Sequence, residues 1–207
     1  MEKMLVTKAL NELNLLDSRI NKAISKGGFV TAAKAVEKKV SPYQTKEEFA
    51  NQASETYQSI VDLIDRRSKI KAAIVHSNAV TNVTVGGITM TVAEAIEKKT
   101  SIEYEHSFFT KMKNEYEVAV SKMNTQNTIM EDKIDNNIST LLGKEGKAST
   151  DEVSSMTKIF REANQWSLVD PLNVKKKVES LEASLEAFYS EVDSALQISN
   201  CITEIEF

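Results

Sequence analysis

The sequence predicts a mainly α-helical protein of long antiparallel helices, packed as a helical bundle or coiled coil, with a small β-sheet formed by a Gly-Gly hairpin and the C-terminal strand. Three observations predict it. Six glycines and two prolines in 207 residues are too few for the many turns of an all-β fold. Apolar residues recur at steps of three and four over long stretches. Alternating segments appear only briefly, around Gly86-Gly87 and at Ile202–Phe207.

The elements follow in order. Val6, Leu10, Leu13, Leu16, Ile20 and Ile24 form one stripe of a helix from about Lys3 to Ser25, which Gly27-Gly28 ends. Phe29-Val30-Thr31 and Lys39-Val40-Ser41 look strand-like, so a small hairpin insert is expected over 29–43. Thr45 and Glu48 are spaced as a capping box and open a second helix to about Ser77. Its stripe runs through Phe49, Ala53, Tyr57, Ile60, Ile64 and Ile74, with Arg67 interrupting it. Val80–Val85 and Ile88–Met90 flank Gly86-Gly87 as a hairpin within 79–91. Thr91 and Glu94 form another capping box, opening a third helix over 92–142. About fifty residues at 1.5 Å each would make a rod of roughly 75 Å, more than one core of this size covers.

Gly143–Lys147 reads as a charged loop. C-terminal helices are expected over 150–198: a short one opened by Ser149 and Glu152, then a long one capped by Asp170 with Pro171 in its first turn. Val174, Val178, Leu181, Leu185, Phe188, Val192 and Ala195 make the clearest heptad seam of the chain. A strand closes the sequence at 202–207. The whole is expected to be a single elongated helical domain over residues 1–207. Ser77-Asn78-Ala79-Val80-Thr81-Asn82-Val83 is echoed by Ser199-Asn200-Cys201-Ile202-Thr203-Glu204-Ile205. The plain reading is a repeated helix C-cap with a left-handed Asn. The sharper one sets both strands side by side in one sheet, with Asn78 and Asn200 meeting at its end.

Twenty-six basic against thirty acidic residues give a net charge of −4, which argues against a nucleic-acid binder. One cysteine, Cys201, forms neither an internal disulfide nor a metal site alone. There is no signal-peptide core and no long apolar run, so a cytoplasmic location without membrane contact is expected, in a bacterium or an infected cell.

Asn78, the Gly86-Gly87 turn and Thr89–Ile96 resemble a helix–hairpin–helix passage of uncharacterised bacterial and phage helical proteins, some loosely labelled septicolysin-like. Trp166–Asp170, the heptad helix and Asn200–Ile205 resemble that family's C-terminal half. The insert at 29–43 and the longer third helix resemble its phage-borne branch. The resemblance implies a helical fold and self-association, not a reaction.

Nucleophilic catalysis needs a Ser or Cys with a base and an orienting partner, and His76 and His106 stand isolated on helical stretches. No phosphate loop, dinucleotide fingerprint, HExxH or CxxC occurs. A protein without enzymatic activity, cofactor or metal is therefore expected. The candidate ligand residues are Arg66, Arg67, Arg161, Asn78, Asn200 and Trp166. A guanidinium matches phosphate with two parallel hydrogen bonds, and tryptophan can stack on a purine. The bland alternatives are ion pairs for the arginines and a packing anchor for Trp166. Together these residues suggest a homo-oligomer that sequesters a small anionic nucleotide signal of the cyclic ADP-ribose type. A phage structural or assembly protein is the alternative.

Overall fold

A computed structural model describes residues 2–143 and 149–207. It is mainly helical, with small antiparallel strand pairs, as the sequence predicts. The elements run β1 (Lys3–Leu5), α1 (Val6–Lys26), β2 (Lys39–Ser41), β3 (Gln44–Thr45), α2 (Lys46–Val80), β4 (Asn82–Val85), β5 (Ile88–Thr91), α3 (Val92–Gly143), α4 (Thr150–Asn164), α5 (Val174–Ile202) and β6 (Glu204–Glu206). They fall into two compact units: Met1–Thr100 with Ala187–Phe207, and Ser101–Glu186. The loop expected at 143–147 lies, from residue 144 on, outside the described residues.

In the first unit, α1 turns its stripe of Val6, Ala9, Leu13, Leu16 and Ile20 onto Ile70 and Ile74 of α2, with Ile205 of β6 closing the cluster. Each large aliphatic side chain so buried contributes about 1.5–3 kcal/mol. Among the described residues three strand pairs form, not one sheet: β1 with β6, β2 with β3 and β4 with β5. The C-terminal strand thus pairs with Lys3–Leu5, which periodicity assigns to the first helix, and not with the Gly-Gly hairpin. A three-residue strand carries no period of its own; its partner lies at the other end of the chain. The hairpin expected over 29–43 forms later, at 39–45.

The echo in the sequence is a repeated structural unit. The β4–β5 pair stands between α2 and α3, and the β6–β1 pair stands between α5 and α1. The Thr81 N–H donates to the Ser77 carbonyl at 2.9 Å, and the Val92 N–H to the Thr81 carbonyl at 2.8 Å. The Thr203 N–H donates to the Ser199 carbonyl at 2.9 Å, and the Val6 N–H to the Thr203 carbonyl at 2.9 Å. Ser77 matches Ser199, Val83 matches Ile205, Val92 matches Val6 and Ala95 matches Ala9, all of them buried. Asn78 and Asn200 are not left-handed caps: α2 and α5 continue past them, and the chain leaves α2 in an extended conformation at Thr81. The sharper reading also fails, because β4 and β6 belong to different strand pairs.

The second unit is helical. Its buried apolar side chains include Ile102, Met112, Met130 and Ile134 of α3 and Val178 and Leu185 of α5. Tyr104, Phe108, Val118, Met156, Ile159 and Val169 face outward. The start of α5 also differs from expectation. Pro171 and Leu172 form a turn, Asn173 takes φ 52°, and the helix opens at Val174, whose N–H donates to the Asp170 carboxylate at 2.9 Å. Asn tolerates that left-handed φ better than most residues do.

Candidate functional site

Arg66 projects from the α1-facing side of α2. Its Nε donates to Glu12 Oε1 of α1 at 2.5 Å, and its Nη1 and Nη2 donate to the two oxygens of Glu2 at 2.8 and 3.0 Å. The Phe207 ring centroid lies 5.5 Å from its Cζ. The guanidinium thus ties together α1, α2 and one end of the β1–β6 pair, where Glu2 and Phe207 lie opposite each other. Arg67 donates through Nε to Asp17 of α1. Hydrogen bonding to these carboxylates raises both arginines above their ordinary pKa, and the same bonds hold Glu2 and Asp17 below the usual carboxylate value.

Arg161, on α4 in the second unit, meets Glu131 of α3 through two parallel bonds of 2.8 and 2.7 Å. That pairing raises Arg161 and lowers Glu131. Trp166 is fixed to α3 by a reciprocal pair: its N–H donates to Asn127 Oδ1 at 2.8 Å, and Asn127 Nδ2 donates to its carbonyl at 3.0 Å. The Lys122 ammonium lies 5.3 Å from its ring centroid. Asn200 offers its carbonyl to the Thr7 hydroxyl at 2.8 Å. Asn78 is half-buried in the last turns of α2.

The six candidate residues are therefore split. Arg66, Arg67, Asn78 and Asn200 belong to the first unit; Arg161 and Trp166 belong to the second. A shallow cavity of about 490 Å³ beside Arg66 is lined by Glu55, Gln58, Ser59, Asp62 and Leu63, which give it acidic character. A second, of about 310 Å³, lies where the two matched helix ends approach, between Thr81–Thr84 and Ala195, Ile198, Ser199, Ile202 and Thr203. Neither Asn78 nor Asn200 lines it.

One groove was not anticipated from the sequence. It has a volume of about 630 Å³ and runs between the C-terminal part of α3 and α4. Ile134 and Ile138 line one side, and Val153, Met156, Ile159, Phe160 and Ala163 line the other. Its polar lining comes from the uncharged Asn137, Thr140, Thr157 and Asn164. The signal was present in the stripe Val153, Met156, Phe160 and Ala163 on a helix too short to bury it alone. Among the described residues such a lining takes an apolar surface and offers no cation to a phosphate.

Among the described residues no group of three or more His, Cys, Asp or Glu is placed to hold a metal ion. No helix among them is long and apolar enough to cross a membrane. Comparison with protein-family models, with curated proteins and with solved structures finds no match for this chain.

Proposed function

We propose that this chain is a non-enzymatic helical protein that works by self-association, as an assembly or scaffold component. The observation that carries this is the α3–α4 groove, an open apolar surface with Met156 and Ile159 exposed on its rim. Contiguous apolar surface of this kind marks interaction sites in proteins that do not aggregate. A second copy is the natural occupant, since the same unit also presents Tyr104, Phe108 and Val118 to solvent. The resemblance drawn from residues 78–96 and 166–205 supports the same reading, because it implies self-association.

Sedimentation equilibrium tests it. Met156→Glu with Ile159→Glu places two charges on the groove rim, where they face solvent in a lone chain but lose hydration in an interface. The double variant should keep wild-type helicity and dissociate at concentrations where the wild type remains assembled. Unchanged association would remove the groove from the account.

Sequestration of a small anionic nucleotide is the second reading. What favours it is the fork geometry of Arg66 on Glu2 and of Arg161 on Glu131, which two phosphate oxygens would also satisfy. A phosphate must displace a carboxylate at either place, so weak binding is expected from a lone chain. Isothermal titration of the assembled protein with cyclic nucleotides and ADP-ribose derivatives decides the matter. Heat that disappears in Arg66→Ala supports sequestration; no heat across the series ends it.

A further inference from the structure

The connection from α1 to α2 has a charge distribution the rest of the chain lacks. Residues 22–46 carry Lys22, Lys26, Lys34, Lys38, Lys39 and Lys46 against one acid, Glu37, in a chain whose net charge is −4. Residues 47–65, the first half of α2, carry Glu47, Glu48, Glu55, Asp62 and Asp65 and no Lys or Arg. A basic tip is followed at once by an acidic helix.

Both segments also expose apolar side chains. On the tip, Val30, Val36 and Tyr43 are 89, 93 and 97% exposed. On the acidic half of α2, Tyr57, Val61 and Ile64 follow one another at helical spacing and are all exposed. The tip nevertheless has a defined fold. The Lys46 ammonium donates to the carbonyls of Lys34 and Ala35 at 2.8 and 3.2 Å, and the Lys46 N–H donates to the Lys38 carbonyl at 2.9 Å. The β2–β3 pair closes it. A surface held in this way loses little conformational freedom on docking.

We infer that the basic tip over residues 29–46 docks on the acidic first half of α2, residues 47–65, of a second copy of this chain. The charges are opposite, and each side brings apolar residues to the contact. The two segments are consecutive, so two copies related by a two-fold axis each present a tip to the other's helix, and the contact closes on itself. An anionic lipid surface or a nucleic acid fits less well, because Glu47 and Glu48 stand exposed at the foot of the tip and would face the same negative charge. The inference rests on the self-association proposed above and names a contact for it.

A charge-swap experiment tests it. Lys26→Glu with Lys38→Glu reverses two charges of the basic stretch over 22–46, one at the end of α1 and one on the tip, whose side chains make none of the internal bonds just described. Glu55→Lys with Asp62→Lys reverses two on the helix. Each double variant alone should associate about tenfold or more weakly than wild type at low salt, with unchanged helicity. An equimolar mixture of the two should recover a mixed complex, because each acidic tip then meets a basic helix. Wild-type association in both variants, or no recovery in the mixture, overturns the docking while leaving self-association through the groove intact. A wild-type chain that stays a single protomer sinks both proposals. Flotation with vesicles rich in an anionic lipid is the remaining arm: wild type floating and the tip variant not floating would assign the tip to a lipid surface and overturn the inference.

Discussion

Arg66 and Arg67 show how far a residue's chemistry depends on what stands opposite. In the sequence they are clustered guanidiniums on an apolar helix face, suited equally to a phosphate or a carboxylate. The structure puts Glu2 and Glu12 against one and Asp17 against the other. Those partners lie far away in sequence, on a strand end and a helix face whose orientation toward α2 no local pattern reveals. The Arg66 side chain is 38% exposed, so solvent screens its pairs, and Arg66→Met should cost about 1 kcal/mol or less in urea unfolding. The pH dependence follows from the lowered pKa of Glu2 and Asp17. A carboxylate held below its unfolded value contributes stability that is present above the unfolded pKa and is lost as pH falls through the folded one. Wild type should therefore lose part of its thermal stability below about pH 4, and a chain with both arginines changed to Met should lose less. Parallel melting curves of the two would contradict these pairings.

At the scale of elements, the local signals served where the chemistry is local. The boxes Thr45–Glu48, Thr91–Glu94 and Ser149–Glu152 all form as spaced, because each needs only its own first turn. The Gly86-Gly87 hairpin forms for the same reason: both glycines take positive φ, 58° and 75°. β1 was missed because its partner, β6, lies far away in sequence; the late opening of α5 is local, set by the Asp170 carboxylate accepting from the Val174 N–H across a turn. The hairpin yields a graded expectation. A Cβ on Gly86 would sit 3.3 Å from the Ala187 Cβ, whereas one on Gly87 meets nothing within 4 Å. Left-handed φ alone costs about 1–2 kcal/mol for a residue with a Cβ. Gly86→Ala should therefore destabilise more than Gly87→Ala in chemical unfolding; equal losses would show that the approach of α5 to the turn does not matter.

For the whole molecule, the sequence carried the helical class but not the grouping of its parts. The unit boundaries at 100/101 and 186/187 lie within α3 and α5, where no glycine, proline or change of composition marks them. The Ser-Asn echo did carry information. It marks two copies of one helix–strand-pair–helix unit, one joined by Gly86-Gly87 and the other pairing the strand after α5 with the strand before α1. The proposed interaction surfaces were harder to see. The α3–α4 groove needs two helices brought together, and the opposed charges of 22–46 and 47–65 gain meaning only once both segments are known to be exposed. All of this leads to the claim that apolar surface left uncovered on one chain is covered by another. Sedimentation equilibrium of the wild-type chain at low micromolar concentration tests that claim most directly. The account predicts a mass of at least two protomers that falls on dilution and with added salt; a single protomer throughout would contradict it.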